Sequence, residues 1–409
     1  MEVAIALGAD PATIFSSVAP LPMGIDEMLF SGFLRDRPVE MAPCATVDLR
    51  VPAHSEIVLE GYVDPDERRT EGPFGDHTGY YSLADCYPVF HVTALTRKRR
   101  PIFPATIVGA PPMEDCYMGK AIERIFLPLL RTQWPEIADM NLPWEGVFHN
   151  NACLTMEKDY PLQARRLMSG LWGAGQMSLT KSFIIGDPGD PVDRPAEFLL
   201  TALDRLMIPD SIYLAEGIMD ELDHSAPQPL WGSKVGIDAT TPVPNEKGYG
   251  LPPRSRIPAP TESTALEAAL SVSPDVRKVL IPFAESVNPV LVIWFEKRQP
   301  GATRKLAQAL IESKALSKFR IFVLMEAETE FPMTGAQAAL RLCNNTDPAR
   351  DFIFLGDRLG IDATKKWKEE GFTRPWPPDI VMSREVREHV DAKWPALWKR
   401  WETLKGKNG

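Results

Sequence analysis

The chain has 409 residues, a formal net charge of −10 at pH 7 and a pI near 5.3. Hydrophobic residues make up 44% and charged residues 24%, the proportions of a globular protein, and the length predicts two or three domains. The negative charge argues against a general nucleic-acid-binding protein, because the phosphate backbone would repel it.

Cysteine usage and hydropathy predict the compartment. Five cysteines without CxxC spacing are few and odd in number, which favours reduced thiols over a disulfide framework or a zinc site. No run approaches the roughly 18 apolar residues of a membrane helix, and the start lacks the basic and apolar segments of a signal peptide. These features predict a soluble cytoplasmic protein.

The first 110 residues are predicted to be mainly β. VAIALG (3–8) has the pattern of a buried strand, and a buried strand so near the start suggests that something normally precedes it. GIDEMLFSGFL (24–34) predicts one short helix. EIVLEGYV (56–63) and YPVFHVTALT (87–96) are rich in β-branched and aromatic residues, and PIFPATIVGAPP (101–112) continues the β pattern until prolines end it.

Helical spacing begins near residue 117. The segment MGKAIERIFLPLLRTQWPEIADM (118–140) carries apolar residues at helical intervals, and its internal proline is expected to break or kink the helix. Predicted strands and helices then alternate. The chain closes in a Trp-rich amphipathic helix, which is expected to dock on the body of the protein or on another subunit.

The second half contains an internal repeat. MEKDYPLQARRL (156–167) matches FEKRQPGATRKL (295–306), and Gly-Ile-Asp-Ala-Thr occurs at 236–240 and again at 360–364. Because these matches fall in the same order, two copies of one α/β unit explain them better than chance. The Pro- and Gly-rich segment 240–264 is predicted to be an extended linker between the two copies.

The stretch EGPFGDHTGYYS (71–82) concentrates reactive side chains in one turn. Glu71 and Asp76 flank a Pro-Phe-Gly turn, and carboxylates placed together raise one another's pKa, so that one can stay protonated and donate a proton. The alternative is a solvated polar hairpin. Phe74 and the two tyrosines weaken that alternative, and on residue types alone both interpretations stay open.

Two other residues also have two interpretations. Glu27, in GIDEMLF, is either a carboxylate on a helix surface or a metal ligand. Lys234 lies beside Gly and Ser in WGSKVGIDAT, a setting suited to an anion, although an exposed lysine is the simpler interpretation. The histidines lack zinc-site spacing, and the chain has neither a GxGxxG fingerprint nor a GxxxxGK[ST] P-loop.

Four stretches resemble the UbiD-like decarboxylases, which use prenylated flavin mononucleotide (FMN). They are residues 3–35, 51–82, 87–115 and 231–240, and EGPFGDHTGYY is a highly specific signature within them. The resemblance implies that an aromatic or α,β-unsaturated acid, such as a 4-hydroxy-3-polyprenylbenzoate, forms a covalent adduct with the prenylated flavin. The adduct then loses CO2 and the remaining carbon is protonated.

The resemblance also implies which residues form the site. Glu71 matches the first carboxylate of the family's Glu, Arg and Glu/Asp set, and Asp76 matches the carboxyl that protonates the product carbon. Glu27 matches the glutamate that binds a divalent metal, usually Mn2+, and Lys234 falls where the family has a lysine that reaches the cofactor. Arg358 replaces Lys234 in the second repeat, which is expected to be a structural or assembly unit.

Family members normally carry a further N-terminal segment before the VAIALG strand. That segment supplies the catalytic arginine, the other metal ligands and loops that hold the flavin. Three explanations stay open: half of a split enzyme completed by a separate N-terminal polypeptide, a truncated protein, or a subunit that keeps only a binding or assembly role. The isolated chain is expected to be weakly active or inactive.

The predicted architecture combines α+β and α/β parts. Residues 1–145 are expected to form a partial split β-barrel related to flavin reductases, 146–262 an α/β unit, and 263–409 a second α/β repeat with the C-terminal helix. The predicted function is a non-oxidative decarboxylase that uses prenylated FMN and a divalent metal. The alternative is a non-catalytic or incomplete subunit of a split complex. A homo-oligomer and a small-molecule acid substrate are expected, and no nucleic acid.

Overall fold

The computed structural model describes residues 1–252, 254–256, 258–328 and 333–405. Within these ranges the chain forms a small antiparallel sheet and a two-stranded ribbon, followed by two five-stranded mixed sheets covered by helices. This arrangement confirms the predicted mixed α and β class.

The N-terminal region is built on three antiparallel strands, in the order β1-β4-β5. Numbered in chain order, these are β1 (Glu2–Leu7), β4 (Ile57–Glu71) and β5 (Asp85–Arg97). A separate ribbon pairs β2 (Met41–Pro43) with β3 (Arg50–Pro52). The three-stranded sheet is open within the described residues, and its relation to a split barrel stays a prediction.

Two helices follow β1 in the chain, α1 (Pro11–Ser16) and α2 (Glu27–Arg35). The side chain of Asp26 accepts hydrogen bonds from the backbone N–H groups of Met28 and Leu29, so Asp26 is the N-cap of α2. The helix predicted over 24–34 is therefore confirmed, and the cap places its first residue at Glu27.

One strand prediction in this region is wrong in part and one entirely. Strand β1 forms where it was predicted, but none of its residues is fully buried, and β1 lies at the edge of the open sheet. Residues 101–112 form no strand, because four prolines in that segment remove backbone N–H donors that a sheet would need.

The helix is not broken at Pro128, and the kink that was the other predicted outcome stays a prediction. Helix α3 (Glu114–Gln133) runs through Pro128, although this residue has no N–H to donate within the helix. Leu127 and Leu130, on either side of it, pack against the buried core of the next sheet. We attribute the intact helix to this packing.

The two five-stranded sheets have the same topology, which confirms the predicted repeat. In each sheet the three inner strands are parallel and the two outer strands are antiparallel to their neighbours. The first sheet has the order β6-β7-β8-β10-β9 and the second β11-β12-β13-β15-β14. The strands of the first unit are β6 (Ile137–Asn141), β7 (Asn151–Met156), β8 (Ser182–Gly186), β9 (Ile212–Ile218) and β10 (Trp231–Asp238), and its helices are α4 (Gln163–Leu171) and α5 (Pro195–Arg205).

The second unit repeats this series after residues 240–261, whose described part contains turns but no helix or strand, and a helix begins at Glu262, inside the predicted linker 240–264. Its strands are β11 (Val276–Leu280), β12 (Val290–Phe295), β13 (Ile321–Glu326), β14 (Phe352–Leu355) and β15 (Arg358–Asp362), and its helices are α6 (Glu262–Val272), α7 (Ala302–Glu312), α8 (Gly335–Asn345) and α9 (Pro348–Asp351).

The two units share a core. Strand β12 is buried along its whole length and has the continuous apolar sequence VLVIWF, as expected of a strand covered on both faces. One face packs against α6 and α7. The other packs with Leu206 and Ile208 of the first unit, so that the second unit lies directly against the first.

Two features concern the ends of these units. Strand β6 pairs with β7, so the first α/β sheet starts before residue 146, where the sequence placed a boundary. The final helix, α10 (Arg384–Lys405), is exposed through residue 403 and does not dock on the body of this chain.

No helix in the described part of the chain combines the length and the apolar character needed to cross a membrane.

Candidate active site

The signature stretch folds into a tight hairpin between β4 and β5. The backbone N–H of Asp76 donates to the carbonyl of Tyr80 (3.1 Å), and that of Ser82 donates to the carbonyl of Phe74 (2.8 Å). Gly79 turns the chain with a φ of +84°, a left-handed conformation that favours glycine. The hairpin places Asp76 inside the protein.

Both carboxylate oxygens of Asp76 are engaged. Oδ1 accepts hydrogen bonds from the backbone N–H of His77 (2.7 Å) and lies 3.0 Å from His77 Nδ1, and Oδ2 accepts from the Thr78 hydroxyl (2.7 Å). Burial acts to raise the pKa of Asp76, but the hydrogen bonds and charge of His77, with the bond from Thr78, outweigh it and lower the pKa. The expected protonated Asp76 is therefore wrong for this arrangement.

His77 makes a second contact through its other ring nitrogen. Its Nε2 lies 2.8 Å from Nε2 of His149, with the two rings edge to face. At this distance one of the two nitrogens carries the hydrogen and the other accepts it. Asp76, His77 and His149 thus form a continuous chain of hydrogen bonds.

The two histidines have opposite pKa shifts. Burial acts to lower the pKa of His77, but the carboxylate of Asp76 outweighs it, so the pKa is raised; Asp115 and Asp220 add to this effect. Burial lowers the pKa of His149 to about 4. Nδ1 of His149 is shielded from solvent and has no hydrogen-bond partner among the described residues.

Both histidines line a cavity of about 600 Å³ between the N-terminal region, α3 and the first α/β unit. This volume is in the range of small-molecule sites. The polar part of the lining consists of His77, Asp115, Glu123, Gln133, His149, Gln176, Thr180 and Asp220. Most of the remaining wall is apolar and includes Leu21, Met118, Ile122, Phe126, Leu130 and Phe148.

The other two predicted carboxylates lie elsewhere. Glu71 is exposed at the end of β4, opposite Asp85 of β5. Glu27 is exposed at the first position of α2. Neither side chain makes a hydrogen bond or ion pair to Asp76 in the described structure, so the three carboxylates are not assembled into one contact group.

Lys234 is buried, and the simpler interpretation of an exposed lysine is wrong. It lies on β10 with 1% of its surface exposed, and its Nζ donates to the carbonyls of Ser178 (2.8 Å) and Thr180 (2.9 Å). Burial lowers the pKa of Lys234 to about 8. Thr180 lines the cavity, so Lys234 supports the cavity wall through the backbone that it binds.

The second α/β unit holds the signature hairpin, which the sequence did not indicate. The phenol of Tyr80 donates to Oδ1 of Asn345 (2.9 Å), and Nδ2 of Asn344 donates to the carbonyl of Thr78 (3.0 Å). The guanidinium of Arg341 lies 4.5 Å from the centre of the Tyr80 ring. The only local signal was a polar run, NNTD, after an amphipathic helix.

The segment before α10 also pairs with the hairpin. The N–H of Tyr81 donates to the carbonyl of Pro378 (2.8 Å), and that of Ile380 donates to the carbonyl of Gly79 (3.0 Å). The hairpin is thus held between the second unit and the C-terminal segment.

A metal site is not assembled from the part of the chain that the structure describes. No group of three or more His, Cys, Asp or Glu side chains there is placed to hold a metal ion. Glu27, the predicted ligand, has no hydrogen bond or ion pair to any described residue.

Comparison with known proteins identifies two domains. Residues 1–111 match the 3-octaprenyl-4-hydroxybenzoate carboxy-lyase Rift-related domain of the UbiD family. Residues 116–239 and 257–365 match the 3-octaprenyl-4-hydroxybenzoate carboxy-lyase C-terminal domain.

Relatives of known sequence match over a large part of this chain. An uncharacterised protein of Archaeoglobus fulgidus is 51% identical over 241 residues, which are 59% of this chain and 50% of the relative. An uncharacterised protein of Helicobacter pylori strain J99 is 35% identical over 410 residues, which are 100% of this chain and 64% of the relative. The chain therefore spans between half and two thirds of the length of these relatives.

Two solved structures are also similar. The UbiD-class enzyme HmfF from Pelotomaculum thermopropionicum, in complex with FMN, is 30% identical with a TM-score of 0.53, over 63% of this chain and 57% of HmfF. The closed form of Sedimentibacter hydroxybenzoicus vanillic acid decarboxylase is 25% identical with a TM-score of 0.57, over 66% of this chain and 57% of that chain. Domains, relatives and structures agree: the chain belongs to the UbiD family of carboxy-lyases.

Proposed function

We propose that this chain takes part in the non-oxidative decarboxylation of an aromatic or α,β-unsaturated carboxylic acid, with prenylated FMN as the cofactor. The observation that carries the proposal is the mostly apolar cavity lined by His77 and His149, with Asp76 bound to His77 behind the lining. The similarity to HmfF, which has been solved with FMN and with prenylated FMN, supports the choice of cofactor.

The cavity fits a flavin in size and polarity. Its volume of about 600 Å³ suits a cofactor-sized ligand, and Nδ1 of His149 is a buried polar atom that still lacks a partner. The apolar side chains of α3, such as Ile122 and Phe126, would hold the flat ring system. When bound, prenylated FMN supplies the electron sink for the electron pair left by the departing CO2.

In this proposal the chain's own residues exclude water from the site and position the proton that is transferred. The apolar wall excludes water from the reacting carbon, which strengthens the electrostatic effect of every charge that faces it. The carboxylate of Asp76 keeps a proton on Nδ1 of His77, which fixes the orientation of the imidazole, and it raises the pKa of His77 and so favours the charged form. In this proposal Asp76 acts through His77 when the product carbon is protonated.

Glu71 and Lys234 have supporting roles in the proposal. Glu71 is exposed at the end of the strand that leads into the hairpin, where a second polypeptide or a second copy could bring it an arginine. Lys234 fixes the backbone at Ser178 and Thr180, and so shapes the wall against which the cofactor would lie. The described residues do not fit a divalent metal, and we assign no step to one.

The apolar lining also bears on the substrate. A ring with a hydrocarbon tail, as in a 4-hydroxy-3-polyprenylbenzoate, would bury the part of the tail nearest the ring against Leu21 and Leu130, apart from the side chains proposed to hold the flavin. The carboxyl end would lie near the two histidines. We therefore propose an acid of this type as the substrate.

A direct assay tests the function. The purified chain, alone and with the part of the H. pylori relative that lies outside the match, is mixed with prenylated FMN and a panel of polyprenylated hydroxybenzoates, vanillate and cinnamate. We expect CO2 release from at least one acid in the completed assembly, and loss of most of it in Asp76→Asn. Asp193→Asn, at an exposed position, is the control. Flavin binding without turnover of any acid would contradict the proposal.

A further inference from the structure

A side chain of the second α/β unit lies between the two histidine-bearing segments. Asn344 is 1% exposed, in the last turn of α8. Its Nδ2 donates to the carbonyl of Thr78 (3.0 Å), and its Oδ1 accepts from Nδ2 of Asn150 (2.7 Å). Thr78 follows His77 and Asn150 follows His149, so one amide joins both segments.

We propose that Asn344 is a positioning residue that holds His77 against His149, so that the second repeat sets the geometry of proton delivery to the cavity. The proposal deepens the function proposed above and rests on it. It gives the second repeat a role at the reaction site, beyond structure or assembly.

The two segments have few other means of staying aligned. No backbone hydrogen bond among the described residues joins 76–80 to 147–151. The Asn344 bridge and the contact of the Phe148 ring with His77, 5.2 Å between centroids, are what remain besides the histidine pair itself. Of these, only Asn344 has directional bonds to both sides.

The backbone that leads to His149 is strained. Val147 has a φ of +42° and Phe148 a φ of +50°, both in the left-handed region, which is costly for a β-branched residue and a bulky aromatic one. Strained residues persist only where the surroundings hold them. The Asn150–Asn344 bond lies directly after this strained pair and is placed to hold it.

His77 and His149 can pass a proton between them with every bond and charge accounted for. When His77 carries hydrogen on both nitrogens, its Nε2–H donates to Nε2 of His149, which then carries its own hydrogen on Nδ1. The Nε2–H bond of His77 breaks as one forms on Nε2 of His149, and the Nδ1–H bond of His149 breaks as the proton forms a C–H bond with the carbon that has lost CO2. One positive charge moves from His77 to the acceptor, and Asp76 stays ionised.

Histidine NMR tests the positioning directly. The chain has six histidines, so 15N- and 13C-labelled protein gives few signals to assign. In the wild type we expect His77 to titrate above its usual pKa and His149 near 4. The groups that face the pair are Asp76, Asp115, Asp220 and Asp223, and none is changed in this experiment.

Asn344→Leu removes both bonds of the bridge. We expect the gap between the two pKa values to narrow by at least about one unit, since His149 loses its contact with His77. Asn288→Leu is the matched control: Asn288 is 1% exposed and donates to the carbonyls of Leu203 (2.6 Å) and Leu206 (2.8 Å), and it contacts neither histidine. The control should leave the gap unchanged.

Asn150→Ala is a second variant, which breaks only the bond on the His149 side and leaves Asn344 bound to Thr78. It should also narrow the gap, and it serves if Asn344→Leu does not fold. An unchanged gap in a folded bridge variant would overturn the positioning role. These titrations need no cofactor or substrate, so their failure is distinct from failure of the decarboxylase assay.

Discussion

The phenol of Tyr80 donates a hydrogen bond to Oδ1 of Asn345, across 265 residues of chain. Both side chains are almost completely buried, and the Tyr80 ring also packs against His224, with 4.3 Å between ring centres. This contact joins the signature hairpin of the N-terminal region to the last turn of α8. The position of the hairpin therefore depends on the second repeat.

Removal of this hydrogen bond should destabilise the protein. Tyr80→Phe leaves Oδ1 of Asn345 buried without its donor, and we expect the free energy of unfolding in urea to fall by about 1–3 kcal/mol. Tyr249→Phe, at a position that is 55% exposed, is the control and should change it by less than about 0.5 kcal/mol. Equal unfolding curves for both variants would show that the bond contributes nothing.

The charge of Asp76 should control the protonation of His77. In Asp76→Asn the carboxylate that raises the pKa of His77 is gone, and burial then lowers that pKa. We expect His77 to titrate at least about one unit lower by NMR, and decarboxylation at pH 7 to fall by about 100-fold or more. Asp193→Asn should change neither quantity. An unshifted His77 would mean that the ion pair does not form in solution.

Acid should destabilise the protein through its buried histidines. The pKa of His224 is lowered by burial to about 4, below its ordinary 6.5, so the unfolded chain takes up a proton first as the pH falls. Above pH 6.5 His224 is neutral in both the folded and the unfolded chain and does not lower the free energy of unfolding. The free energy of unfolding then falls as the pH drops from 6.5 to about 4. Between pH 7 and pH 4.5 we expect a loss of about 2–3 kcal/mol from this residue.

In His224→Gln the free energy of unfolding should fall by about 2–3 kcal/mol less than in the wild type between pH 7 and pH 4.5. Urea titration at both pH values measures this difference. His54→Gln is the control, because the His54 side chain is 69% exposed. His149 has a similar shift and keeps some acid sensitivity in both variants. Identical pH dependence in wild type and His224→Gln would refute the assignment.

Loss of the buried ammonium of Lys234 should weaken flavin binding. Lys234→Met removes the donor to the carbonyl of Ser178 and one of the two donors to that of Thr180, which keeps the indole N–H of Trp172, so the turn that forms one wall of the cavity loses part of its anchor. We expect the Kd for flavin, measured by fluorescence quenching, to rise about tenfold, equivalent to about 1.4 kcal/mol. Lys247→Met, with a side chain that is 73% exposed, should bind as the wild type does. Equal affinities would remove Lys234 from the cofactor site.

The sequence predicted what is local or periodic. The repeat was visible in paired motifs, and both sheets have the topology that those motifs imply. The helix after Asp26 was predicted because its cap and apolar spacing are local. Burial in β1 was wrong, because the apolar pattern of a strand does not show whether it lies at the edge of a sheet.

Only part of the candidate site could be predicted, because sequence patterns show local structure and not contacts between distant residues. EGPFGDHTGYY marked the hairpin, and Asp76 is indeed buried. The partners of the hairpin are distant in the chain: His149 lies 72 residues from His77, and Asn344 lies 266 residues from Thr78. No spacing rule connects such residues. The pKa of Asp76, in contrast, is lowered by its chain neighbours His77 and Thr78 against the effect of burial, and that balance depends on the three-dimensional structure. The burial of Lys234 likewise depends on the turn at 175–179, which the sequence did not indicate.

The anchoring of the hairpin by Asn344 and Asn345 also sets an order of events during synthesis. A ribosome adds about 5–20 residues per second, so Tyr80 leaves the ribosome about 13–53 s before Asn345 is available to bind it. The N-terminal sheet can form early, yet its reactive hairpin has no anchor until the second repeat has folded. The hairpin therefore reaches its anchored position only after Asn344 and Asn345 have been synthesised and the second repeat has folded around them.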